Sequence, residues 1–123
     1  MEKRKAIEHT GLLVLSLLNR EDMYGYQMIM ELERRSDKTF SMKEGTLYPV
    51  LHGLERQGAV ECSQQTAPTG RMRKYYHLTK KGELLLKEEE KEWKTYARAV
   101  NAVLESCAEP SYRAPATYRR FQG

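Results

Sequence analysis

The chain has 123 residues, enough for one compact domain and one appended element. Its 21 Lys+Arg against 17 Asp+Glu give a formal charge of +4, with a pI near 9.1 and a mean hydropathy of -0.75. This balance permits a nucleic-acid partner without requiring one. The longest uncharged apolar run, Leu12 to Leu18, is too short to span a bilayer, and no secretory start pattern is present. Cys62 and Cys107 lack the spacing of a disulfide framework, so a reducing, cytoplasmic setting is expected.

Residues 6 to 18 read as a helix whose apolar positions fall on two stripes, Ile7, Gly11, Val14 and Leu18 on one, Leu13 and Leu17 on the other. A helix apolar nearly all round needs cover on two sides. Residues 19 to 23 are a polar break, and Tyr24 to Arg35 form a second helix with Met28, Ile29 and Leu32 at helical spacing. After Ser36 to Phe40, a third helix runs from Ser41 to Gln57, burying Leu47, Val50, Leu51 and Leu54.

Two starts compete for that third helix. Ser41 with Glu44 resembles a capping box, whereas Thr46 as cap would put Pro49 in the first turn, where its missing N–H costs nothing. The favoured expectation is an irregular start near Met42 that becomes regular after Pro49, with Gly58 as the terminating glycine. Two short strands follow, Val60 to Gln65 and Lys74 to Leu78, joined by the turn signal Ala67-Pro68-Thr69-Gly70. Thr79 then opens a long helix to about Leu104, and Glu109 to Gly123, with Pro110 and Pro115, reads as a flexible tail.

The expected fold is therefore mainly α with a small β-hairpin, a winged helix-turn-helix followed by a long C-terminal dimerisation helix. The expected division is 1–78 for the winged helix-turn-helix, 79–108 for the dimerisation helix and 109–123 for the tail. In such a fold a recognition helix enters the major groove. Here the face opposite the buried leucines carries Lys43, Gly45, Pro49, His52, Gly53 and Arg56, with Thr46 and Tyr48 on its flanks. Thr46 and Tyr48 can donate to phosphates, while His52 and Arg56 can reach base edges. Between Arg71 and Lys81 stand Arg71, Arg73, Lys74, Lys80 and Lys81 with no acidic residue. Residues 43 to 81 hold seven basic and three acidic side chains, which accounts for the net charge of the whole chain. Releasing counterions from a phosphate backbone is a task suited to such a cluster.

Four segments carry a family resemblance: Leu12-Leu-Val-Leu-Ser-Leu-Leu, Tyr24-Gly-Tyr-Gln, Gly45-Thr-Leu-Tyr-Pro-Val-Leu-His-Gly-Leu-Glu and Arg73-Lys-Tyr-Tyr-His-Leu-Thr-Lys-Lys-Gly. In order and spacing, over roughly residues 8 to 104, the chain resembles the PadR family of bacterial transcriptional regulators, in its shorter subfamily with a single helix after the wing. The resemblance implies DNA contacts from the third helix and the wing, at Lys43, Thr46, Tyr48 and His52 and at Arg71, Arg73 and Lys74. It implies a sequence-specific, ligand-responsive repressor of double-stranded DNA.

In the last helix Trp93, Ala97, Val100 and Leu104 form a stripe flanked by Tyr96 and Val103, the pattern of a helix that packs on another. A homodimer built from the first and last helices is expected, the alternative being that both stripes close one monomeric core. Trp93 either packs that seam or binds a planar aromatic small molecule, its indole offering a stacking face. His9, His52, His77, Cys62 and Cys107 show no close-paired ligand spacing, so no metal or other cofactor is expected. No nucleophile or phosphate-loop motif points to an enzyme. The rival readings are a small-molecule-binding or protein-interaction winged-helix protein, and a redox-responsive regulator using Cys62 or Cys107.

Overall fold

The computed structural model describes residues 9–108; the expected helix start at residue 6 and the tail from 109 to 123 lie outside them. Over this span the chain forms α1 (Thr10–Leu18), β1 (Met23–Tyr24), α2 (Gly25–Arg35), α3 (Glu44–Arg56), β2 (Val60–Thr66), β3 (Met72–Leu78) and α4 (Lys80–Cys107). It divides into two compact units, one ending at Glu90 and one beginning at Lys91, so α4 contributes to both.

The first unit is built around one core. Val14, Leu15, Leu17 and Leu18 of α1, Met28 and Leu32 of α2, and Leu47, Leu51 and Leu54 of α3 are buried together. Met23, Val60, Tyr76 and Leu78 of the sheet and Leu86 of α4 complete this core. Leu12 and Leu13 are half-buried and pack against it. The second apolar side of α1 is thus largely covered within its own chain, more fully than its sequence suggests.

The α2 helix begins where the Gln27 carboxamide accepts a hydrogen bond from the Tyr24 N–H, at 3.4 Å. It ends in a reversed turn: the Lys38 N–H donates to the Glu33 carbonyl at 2.8 Å and the Asp37 N–H to that of Arg34 at 3.2 Å. Asp37 and Lys38 take left-handed φ of 53° and 66° to do so.

The start of α3 differs from the sequence expectation. Lys43 is the residue flanking the helix, its carbonyl accepting from the N–H groups of Thr46 and Leu47, both at 3.0 Å. Neither Ser41 nor Thr46 caps it, and the helix is regular from Glu44 straight through Pro49. The physical reason is location. Pro49 removes only the bond to the Gly45 carbonyl, and Gly45 and Pro49 are both exposed, so water can replace that bond.

The sheet has three antiparallel strands in the order β1-β3-β2, not the two of a bare hairpin. Within it Met23 and Tyr24 oppose Tyr76 and Tyr75. A two-residue strand has no periodicity to detect. β2 and β3 pair along their full length, from Val60 opposite Leu78 to Thr66 opposite Met72. Their turn closes as its sequence predicts, the Gly70 N–H donating to the Ala67 carbonyl at 2.8 Å.

Thr79 and Gly82 fasten the start of α4 to the end of α3. The Thr79 hydroxyl accepts from the Gly82 N–H at 3.0 Å and donates to the Gly58 carbonyl at 2.6 Å, while the Thr79 N–H donates to the Ala59 carbonyl at 3.0 Å. A Cβ on residue 82 would run into that Ala59 carbonyl, so only glycine fits. The Thr-x-x-Gly spacing is the chemical signature of this joint.

The second unit holds the rest of α4. Trp93, Tyr96, Val100, Val103 and Leu104 are all exposed there, and the Trp93 and Tyr96 rings stand 6.0 Å apart. No helix among the described residues is long and apolar enough to cross a membrane.

Candidate nucleic-acid interface

The outward face of α3 follows from its inward one. Burying Leu47, Leu51 and Leu54 turns Gly45, Pro49, His52 and Arg56 to solvent, with Lys43 exposed just before the first turn. Gly45 leaves open space where a Cβ would stand, so the backbone can approach a flat or grooved surface closely. Thr46 is half-buried on the flank. Tyr48 is half-buried too, its phenol end seated against Gly25 at the start of α2. A Cβ at residue 25 would collide with the Tyr48 hydroxyl, which joins the Tyr24-Gly25 and Thr46-Leu47-Tyr48-Pro49 segments into one contact. The Tyr48 ring lies 6.4 Å from that of His52.

The wing distributes its charges over two faces. Successive strand residues point to opposite sides. Tyr76 and Leu78 are buried against the helices, and Cys62, opposite Tyr76, places its Sγ 3.5 Å from Glu55 Oε2 of α3. Lys74 shares that side and is exposed. Arg73, Tyr75 and His77 belong to the outer side, together with Tyr24 of β1. Arg71 is exposed in the turn itself. The fold thus gathers Thr46, Tyr48 and His52 on α3 with Lys43 just before its start, whereas Arg73 and Lys74, adjacent in sequence, emerge from opposite faces of the wing.

Three ionisable groups in the sheet are displaced from their usual range. Burial pushes the Tyr76 phenol up to about 12, and its hydroxyl makes no hydrogen bond among the described residues. Burial also raises the Cys62 thiol, and the Glu55 carboxylate beside it adds to the effect. His77 is raised by its hydrogen bond to Asp22, Nδ1 to Oδ1 at 2.9 Å, with Glu61 and Glu83 nearby. Among the described residues no group of three His, Cys, Asp or Glu side chains could hold a metal ion.

Sequence reasoning missed Tyr24, assigning it to a helix start. It is the outer-face neighbour of both Arg73, whose guanidinium carbon lies 4.9 Å from its ring centre, and Tyr75, whose ring meets it edge-on at 5.3 Å.

The arrangement has counterparts among known proteins. The family model described as the transcriptional regulator PadR-like family matches residues 14–88. A transcriptional regulator of Mycobacterium tuberculosis, Rv3488, is 34% identical over 79 residues, which make up 64% of this chain and 70% of that protein. Among solved structures, a PadR-like regulator from Bacillus cereus superposes with a TM-score of 0.71 at 29% identity, covering 85% of this chain and 97% of the other. A PadR family regulator from Eggerthella lenta gives 0.69 at 32% identity, covering 83% and 87%. Since the family model spans more than half of its residues, including the α3 and wing segments described above, the chain belongs to the PadR-like family of transcriptional regulators.

Proposed function

We propose that this protein binds double-stranded DNA in a sequence-specific way as a homodimeric repressor in the cytoplasm, laying α3 in the major groove and the wing along the backbone. The observation that carries this reading is the union of an exposed, small-residue face on α3 with the basic side chains of the wing, a region that holds the chain's whole net charge. Lys43, Thr46, Tyr48, Arg71, Arg73 and Lys74 are assigned to phosphates and His52 to a base edge. Anisotropy titrations on duplexes selected from random sequence test this directly. Changing Arg71, Arg73 and Lys74 together to Ala should weaken every duplex and lower the salt slope by up to about 0.9 per lost phosphate contact. His52→Ala should instead flatten the preference among sequences. Salt-independent binding, or none at low salt, would sink the reading.

The homodimer and ligand response rest on the exposed stripe of α4. Two copies joined along it would present half-sites roughly one helical turn, about 34 Å, apart. Trp93 and Tyr96 form an aromatic pair there that suits a planar aromatic ligand. Such a ligand loosens the DNA only if it favours the DNA-incompetent arrangement. Titrating planar aromatic cations and neutral phenolics while following Trp93 fluorescence and DNA affinity together tests both parts.

A further inference from the structure

Most basic side chains of the wing are simply exposed, but Arg73 is held. It is half-buried on the outer face of the sheet, and its Nε is buried with no hydrogen-bond partner among the described residues. Its guanidinium carbon lies over the Tyr24 ring, 4.9 Å from the centre. Tyr24 is fixed in turn by pairing opposite Tyr75 and by the edge-on contact of the two rings, 5.3 Å apart at 73°.

What is missing around Arg73 matters equally. Glu31 pairs with Arg34 and Arg35, and Asp22 pairs with His77, but neither cluster involves Arg73. Glu31 both orients and neutralises its arginines. Tyr24 orients without neutralising, since an aromatic face attracts a cation through its quadrupole and leaves the full charge in place. An arginine with restricted rotamers and an uncompensated charge is prepared for phosphate, because less freedom is lost when its fork engages two oxygens.

We propose that Tyr24 is a positioning residue of the DNA grip, presenting Arg73 of the wing to a phosphate of the duplex. The proposal rests on the DNA-binding reading above. It also gives the two-residue strand β1 a purpose: it brings a ring from the start of α2 to the outer face of the wing.

A double-substitution cycle tests it, read by anisotropy over a salt series on a duplex selected by the wild-type protein. Tyr24→Leu should weaken binding roughly fivefold, a cation–aromatic contact's worth, and Tyr24→Phe, which keeps the ring, should bind as wild type. Arg73→Ala should lose more and lower the salt slope by about 0.9. In the Arg73→Ala background, Tyr24→Leu should cost nothing further; an equal loss in both backgrounds overturns the proposal. Should Tyr24→Leu fail to fold, the free protein still decides. The Arg73 Nε–H resonance should be shifted upfield by the ring in wild type and Tyr24→Phe, and an unshifted resonance overturns the stacking itself. A wild-type protein that selects no duplex would defeat the DNA reading and this proposal with it, a result separate from a cycle that is merely additive.

Discussion

In α3 the residues Leu47, Leu51 and Leu54 stand three and four apart and are at most 5% exposed. In the distal part of α4, Trp93, Val100 and Leu104 follow a comparable helical spacing and are 40%, 38% and 61% exposed. The two stripes are equally legible as helix faces, yet one is buried and the other is exposed. Apolar periodicity states where cover is needed and is silent on who supplies it. The same applies to α1, whose two apolar sides called for either a partner chain or a second layer and are largely covered by the first unit's core.

The sharpest way to break this contrast is to make the same deletion in both stripes. Leu51→Ala removes a side chain with no exposure and should cost about 2–5 kcal/mol of unfolding free energy in urea. Leu104→Ala in an uncovered stripe should stay within about 0.5 kcal/mol. If a second copy covers the stripe, that small loss becomes larger and dependent on protein concentration. Val100→Glu would then bury unpaired carboxylates in the seam and shift the sedimenting species to a folded monomer. A wild-type protein that sediments as a folded monomer at micromolar concentration would remove the homodimer altogether.

A smaller effect tests the joint between α3 and α4. Gly82→Ala sets a Cβ against the Ala59 carbonyl and should cost about 1–3 kcal/mol as the helix start shifts, measured by thermal or urea melts. An unchanged midpoint would mean the joint yields freely. This joint also marks what the sequence could and could not reveal. The helix order, the wing turn and the Thr79 cap were legible, because each depends on residues within a few positions of one another. The regular α3 start was not, since whether Pro49 disrupts a helix depends on water reaching the Gly45 carbonyl, a matter of tertiary exposure. β1 was not, because its pairing with β3 joins residues 23–24 to 75–76 and leaves no local pattern. For the same reason the candidate basic residues could be named, but the division of Arg73 and Lys74 between two faces, and the ring beneath Arg73, could not.

The smallest expected effect lies on the outer face of the first unit and asks whether its exposed polar contacts matter as its buried ones do. His77 and Asp22 are joined at 2.9 Å, with the side chains 58% and 42% exposed. The hydrogen bond to Asp22 raises the His77 pKa, and Glu61 and Glu83 act in the same direction. A histidine raised on folding favours the native state fully below its unfolded value, about 6.5. That contribution disappears as the pH climbs through the raised native value. Solvent screening limits it to well under about 1 kcal/mol. Urea midpoints of wild type and Asp22→Asn should therefore differ most near pH ~5.5 and converge by about pH 8. His77→Asn should erase the pH dependence of that difference. A gap that widens with rising pH would reverse the sign and rule out a stabilising ion pair; a constant gap would show that Asp22 acts through something other than the imidazolium.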